Sequence, residues 1–280
     1  MFEMFQNFSE ENKQAYEARG EGDSSVVQQS SQNSSIAYYN SKKTIVLSVG
    51  GSLFFDDKPR TAHIAKFCET INDLAKEGFA FVLVVGGGQV ARTYQASAKS
   101  LGANYFEMDE MGISVTKSNA LLFTYIIENA WKDVLQDVKM ARKVLSFGRI
   151  PIFAGNMPGQ TTDAVAASVA EYLQCDFCNL SNVDGIFASD PATHPSTKMF
   201  DELTHTKMLS LLKAIASKPG AHTFVDQQAA HILWRSRVRS FFINGSDLAN
   251  FKACVRGEHF KGTIVQTAST SAEQENEEED

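Results

Sequence analysis

The sequence predicts an α/β fold, a sandwich built on a mainly parallel sheet. Three observations carry that prediction. Short apolar runs alternate with stretches of roughly 10–18 residues that have helical apolar spacing, the pattern of βαβ units. The runs are apolar almost throughout, as strands covered on both faces are. Several of them end in glycine and pass directly into a helical pattern.

Taken in order, "KTIVLSVGG" is a strand closed by glycines. "TAHIAKFCETINDLAKEG" places Ile64, Phe67, Ile71 and Leu74 on one helical face and stops at a glycine. "FAFVLVVGGG" is a strand, and a helix follows it through Leu101. "MGISVTKSNALLFTYIIENA" is helical and takes Trp131 into its pattern. "RIPIFAG" is a strand, and "TTDAVAASVAEYLQ" is a helix capped by Thr161 or Thr162. "CDFCNLSNVDG" is a strand, "DQQAAHILWRS" a helix, "VRSFFING" a strand and "DLANFKACVRG" a final helix.

The two ends differ from this body. Residues 1–42 contain "GEGDSSVVQQSSQNSS", too poor in large apolar groups to offset the entropy of ordering, so a disordered extension is expected. Residues 268–280 form a second, acidic tail expected to be disordered, and residues 43–267 form the domain between them. The formal net charge is −7, but Glu273–Asp280 alone carries six acids and no base, which leaves the body close to neutral. That balance argues against a nucleic-acid partner. No apolar run reaches the ~18 residues of a membrane span, and the N-terminal stretch lacks the basic, then apolar, regions of a secretory signal. A cytoplasmic protein without membrane contact is expected. The four cysteines show no metal-ligand spacing, and "CDFC" sits in an apolar strand pattern, so a core role with reduced thiols is expected.

Three glycine-bearing strand ends carry the chemistry: "SVGGS" (48–52), "VVGGGQVAR" (84–92) and "FAGNMPGQTTD" (153–163). In an open parallel sheet, ligands bind beyond the carboxyl ends of the strands. Glycine there lets backbone N–H groups approach a phosphate, and the next helix adds its dipole. Arg92 lies four residues past Gly88, where its fork can reach an anion in the turn. Neither GxxxxGK followed by Ser or Thr nor a true GxGxxG is present. "NLSNVDGIFASDPATHP" reads only as a strand followed by a polar loop.

In order, "SVGGS", "VVGGGQVAR", "MDEMGISVTKSNA", "AGNMPGQTTDAVAA", "SNVDGIFASDP" and "RGEHFKGTIV" resemble the amino-acid kinase superfamily, and within it the archaeal-type uridylate (UMP) kinases. The resemblance spans residues 43–266. It implies a three-layer α/β/α sandwich, and phosphoryl transfer from ATP to UMP with Mg²⁺ riding on ATP and no protein side chain as metal ligand. It implies that Gly50, Gly51, Gly88 and Arg92 face the ATP phosphates, and that Ser181, Asn182, Phe187 and Asp190 hold the adenosine. UMP is expected against Gly87 and Asp109, wrapped by Asn156, Met157, Pro158, Gly159, Gln160, Thr161 and Thr162. Asp163, Arg92 and His231 are the implied catalytic residues, and a homo-oligomer, a hexamer, is the implied assembly.

The match departs at two charged positions. Ser48 stands where many relatives carry a lysine on the first strand. His231 stands where many carry a lysine near the transferring phosphoryl group, and a neutral imidazole supplies no fixed charge there. Gln227 replaces a common proline at that helix start. Two other readings stay open on these grounds: a kinase of this fold acting on another small acceptor, and a nucleotide-binding storage or regulatory module without turnover.

Overall fold

The computed structural model describes residues 43–189, 191, 193–194, 196–216 and 223–267. The tails expected to be disordered, and the adenosine candidate Asp190, lie outside the described residues.

The elements follow as β1 (Thr44–Val49), α1 (Gly51–Phe54), α2 (Thr61–Lys76), β2 (Ala80–Val85), α3 (Gly88–Ser100) and α4 (Tyr105–Ile126). Then come β3 (Ala130–Leu135), α5 (Met140–Ser146), β4 (Ile150–Phe153), α6 (Thr162–Leu173) and β5 (Asp176–Ser181). The chain closes with β6 (Glu202–Thr204), α7 (His205–Ala216), α8 (Gln227–Arg235), β7 (Ser240–Asn244), α9 (Leu248–Arg256) and β8 (Thr263–Gln266). The strands make one sheet in the order β3-β4-β2-β1-β5-β7-β8-β6. All its pairings are parallel except β7 with β8. The expected sandwich around a mainly parallel sheet is therefore the observed one.

Period-two alternation in β1 divides the two layers. Ile45, Leu47 and Val49 join a core with Phe81 and Leu83 of β2, Ile64, Phe67 and Ile71 of α2, Phe123 of α4 and Phe251 of α9. Val46 and Ser48 face the other way, toward α6, whose Ala164, Val165 and Ala167 are fully buried. The central strands β1, β2 and β5 thus end side by side, and their carboxyl ends share one edge of the sandwich.

Several elements differ from the sequence expectation. The "MGISVTKSNALLFTYIIENA" helix begins earlier, at Tyr105, because Asn104 and Glu107 form a capping box: each side chain accepts the other residue's backbone N–H, at 3.1 and 2.8 Å. It ends at Ile126, so Trp131 is on strand β3 and stacks on Phe147 at 6.3 Å. That edge strand, "AWKDVL", is half exposed and lacks the continuous apolar run of its neighbours. The sequence reading also missed α5 and the β6, α7 and β8 elements. Among the described residues, no helix is long and apolar enough to cross a membrane.

Candidate active site

The site forms where the ends of β1, β2 and β4 meet the helices that follow them, with the end of β5 beside them. A cavity of about 350 Å³ opens there, floored by Gly87, Gly88 and Gly155 and walled by α3 and α4. It lies within the ~300–1,000 Å³ range of small-molecule pockets.

The glycine turns are tight first of all against each other. A Cβ on Gly51 would fall 2.1 Å from the Gly88 nitrogen, and one on Gly88 would fall 2.2 Å from the Phe55 carbonyl oxygen. Gly88 also has φ +65°, a conformation that L side chains adopt rarely. The β1 and β2 turns can therefore lie against each other only without side chains. Two hydrogen bonds hold them in place: the Gly50 N–H donates to Leu180 O at 2.9 Å, and the Gly86 N–H to Val49 O at 3.0 Å.

Arg92 is exposed on α3 and lines the cavity. Its guanidinium donates to Gln89 Oε1 at 3.0 Å and reaches Ser52 Oγ at 3.4 Å, which bridges the β1 and β2 turns. On the opposite wall Asp109 Oδ2 accepts the Gly159 N–H at 2.8 Å and so closes the "NMPGQ" loop onto α4. Thr161 caps α6 by accepting the Ala164 N–H at 3.1 Å, and its hydroxyl donates to Asp226. Asp226 in turn caps α8 through Ala229 N–H at 3.0 Å. Asn156 Nδ2 reaches Gln136 O at 3.4 Å, and its buried Oδ1 has no hydrogen-bond partner.

Behind this wall, Ser48 Oγ donates to Asp163 Oδ1 at 2.5 Å. The Asp163 carboxyl is packed among protein atoms, and that desolvation pushes its pKa up to about 6. The Ser48 hydrogen bond pulls it down, and the nearby Asp226 charge pushes it up further.

The structure therefore brings Gly87, Gly88, Arg92, Asp109, Met157, Gln160, Thr161 and Thr162 onto one cavity. Gly51, Asn156, Pro158, Gly159 and Asp163 are outside that lining, Gly51 packed against Gly88 and the others next in sequence to residues that line it. Gly50 is tied to the end of β5, where Ser181, Asn182 and Phe187 form a separate loop. There the Ser181 hydroxyl accepts the Val183 N–H at 3.1 Å, Phe187 bridges to Met199, and Asp184 pairs with Lys261 at 2.6 Å and accepts from Asn244 at 3.0 Å. The Lys261 hydrogen bond, with Asn244 behind it, holds the Asp184 carboxyl below its usual range.

His231 is not brought to the cavity. It is exposed on the body of α8, edge-on to Trp234 at 6.4 Å, while the end of α8 that meets the site is its cap, Asp226. Sequence reasoning also passed over Gln95, Gly112, Ile113, Thr116, Asn119 and Gly155. A signal for three of them was present: Gly112, Thr116 and Asn119 recur at helical spacing on the buried face of α4, where polar or minimal side chains are out of place unless they serve something.

The comparisons with known proteins agree with this geometry. The model of the amino acid kinase family matches residues 43–244. The chain is 37% identical over 224 residues to a uridylate kinase of Thermococcus sibiricus, covering 79% of this chain and 99% of that protein. It is 35% identical over 222 residues to that of Archaeoglobus fulgidus. The crystal structure of the Archaeoglobus fulgidus uridylate kinase superposes with a TM-score of 0.70 at 36% identity, covering 79% of this chain and 99% of that one. A UMP kinase of Ureaplasma parvum, 21% identical and covering 81% of this chain and 99% of its own, shares the fold at a TM-score of 0.69. By sequence and by fold, the chain belongs to the amino acid kinase family.

Proposed function

We propose that the protein is a uridylate kinase that transfers the γ-phosphoryl group of ATP to UMP, giving UDP and ADP, a step of pyrimidine nucleotide biosynthesis. The observation that carries this reading is the joining of two half-sites by one glycine turn. A nucleotide-sized cavity lies on the β2 and β4 side of Gly87–Gly88, and a separate loop at the end of β5 lies on the Gly50 side. The relatives that match the chain at 35–37% identity are named uridylate kinases.

In this reading UMP occupies the cavity. Asp109 holds its ribose, and the loop from Asn156 through Thr162 wraps it. ATP lies along Gly50, Gly51, Ser181, Asn182 and Phe187. Its terminal phosphate meets the acceptor at Gly87, Gly88 and Arg92. Phosphoryl transfer asks little covalent chemistry of the protein, so these groups act by positioning and by matching developing charge. Asp163, held by Ser48, orders that constellation, and Asp226 positions Thr161 and the start of α6. His231 has no part in it.

Mg²⁺ would arrive on the ATP phosphates, and when bound it supplies charge neutralisation. Among the described residues no three His, Cys, Asp or Glu side chains gather to hold a metal. Asp163 and Asp226 are the carboxylates that would hold its water shell. A cytoplasmic homo-oligomer, a hexamer by resemblance, is part of the proposal. It is supported by the exposed apolar side chains Leu101, Tyr105, Phe106 and Met111 around the start of α4.

One observation favours a second reading, a nucleotide-binding module without turnover. Among the described residues Arg92 is the single cation on the cavity wall, and Ser48 and His231 stand in place of lysines. ADP release with ATP, Mg²⁺ and UMP, measured beside CMP, AMP and no acceptor, separates the two. Turnover with UMP well above the rest is expected; ATP and UMP binding without turnover would refute the kinase reading.

A further inference from the structure

Asn119 sits on α4, behind the glycine turn and outside the cavity lining, with only 6% of its surface exposed. Its side-chain amide donates to two successive backbone carbonyls, Gly86 O at 3.0 Å and Gly87 O at 3.1 Å. In a planar trans peptide the N–H points opposite to the C=O, and the chain contains no cis peptide bond among the described residues. Drawing the Gly86 and Gly87 carbonyls toward α4 therefore turns the N–H groups of Gly87 and Gly88 the other way, on a turn whose two residues both line the cavity.

The backbone angles agree. Gly87 is in the right-handed helical region (φ −83°, ψ −28°), and Gly88 follows at φ +65°. A right-handed residue followed by a left-handed one makes successive N–H groups converge into an anion-binding concavity. Among the described residues neither of these two N–H groups donates to another backbone carbonyl, whereas the flanking Gly86 and Gln89 N–H groups are spent on Val49 O and Phe55 O. Glycine has no side-chain preference that would hold such a pair of peptides in one orientation. The restraint comes from what the carbonyls accept: the Asn119 amide on both, with the Ala91 N–H at a longer 3.4 Å on Gly87 O.

One helical turn before Asn119, Thr116 ties the second loop: its hydroxyl accepts the Gly155 N–H at 3.0 Å and donates to Ile113 O at 2.7 Å. One face of α4 thus anchors both strand-end loops of the cavity.

We propose that Asn119 is a positioning residue for phosphoryl transfer. It clamps the Gly86 and Gly87 carbonyls so that the Gly87 and Gly88 N–H groups stand aimed at the UMP phosphate and the phosphoryl group it receives. This rests on the kinase reading for the identity of the phosphate, and on the geometry alone for the clamp.

Asn119→Asp keeps the shape and removes the donor. An ionised carboxylate facing two carbonyls releases the peptides, whereas its protonated form can again donate to one of them. The expected result is a fall in kcat of about 100-fold at pH 8, the scale seen when one fixed oxyanion donor is lost. Affinity for UMP should fall toward that for uridine, because the phosphate is what loses its contacts. As pH falls, the ratio of variant to wild-type kcat should rise. Asn119→Leu, which cannot donate at any pH, should show the loss without the recovery.

Equal weakening of UMP and uridine binding, or a kcat ratio that is flat with pH in the Asp variant, would assign Asn119 a purely structural role and overturn the proposal. So would wild-type kcat in a folded Asn119→Leu protein. If the wild-type chain phosphorylates no acceptor, the kinase reading fails on its own. Inorganic pyrophosphate titrated against wild type and Asn119→Asp then still reads the clamp: at least tenfold weaker binding to the variant supports it, and equal binding refutes it.

Discussion

Ser48 and Asp163 show how one exchanged residue reshapes a site. At Ser48 the side chain points off the sheet toward α6 and meets the Asp163 carboxylate. A hydroxyl stabilises that carboxylate less than a full charge would, and the Asp163 pKa settles at about 6. For an acid whose folded pKa lies above its unfolded one, the folded state binds more protons between the two values. Stability contributed by this group is therefore present below about pH 4 and is lost as pH rises to about 6, by roughly 3 kcal/mol at 1.36 kcal/mol per unit. The site bears that cost in order to keep a carboxylate there. Activity that needs the ionised form should rise through about pH 6 and level off above it. The UMP phosphate titrates in the same range, at about 6, so the wild-type profile alone does not identify the group. Ser48→Ala does: without the hydroxyl the Asp163 pKa moves up, and the inflection in kcat should move to higher pH by about a unit. An unmoved inflection would assign the titration to the substrate.

Helix α4 is the element on which the site and the core depend together. One part of its buried surface carries Gly112, Thr116 and Asn119 to the cavity loops. Next to it Phe123 packs its ring against Phe54, Phe67 and Phe55 at 5.5, 6.0 and 6.2 Å. Truncating a fully buried phenylalanine costs ~3–5 kcal/mol. Phe123→Ala should lower unfolding free energy by that amount in urea denaturation; a loss under about 1 kcal/mol would show that the helix is held mainly by its other contacts. The same helix shows what could and could not be read from sequence. Its apolar spacing was plain, but its start depended on a capping box of two polar residues outside the apolar pattern. Its functional residues Gly112, Thr116 and Asn119 carry only the signal of small and polar side chains at helical spacing on a buried face, and what they serve is not legible until the loops are in place. The glycine turns were legible as strand ends, yet the reason for Gly51 and Gly88 is contact between two turns far apart in sequence. Strand β3 escaped because an edge strand is half polar, and His231, given a role by the resemblance, lies on the exposed body of α8 outside the cavity lining.

Across the whole molecule, parallel pairing sets the carboxyl ends of β1, β2, β4 and β5 along one edge of the sheet, and most of the candidate residues that the structure describes lie at that edge or on the turns and helices around it. In the proposed reading the topology gives the two nucleotides adjacent berths, with the Gly86–Gly88 turn as the wall they share. The most direct test of that account is to incubate the protein with Mg²⁺, γ-labelled ATP and UMP and to follow where the label goes. The account predicts label in UDP, in amounts matching the ADP formed. Label that stays in ATP, or that appears as inorganic phosphate with none in UDP, would contradict it.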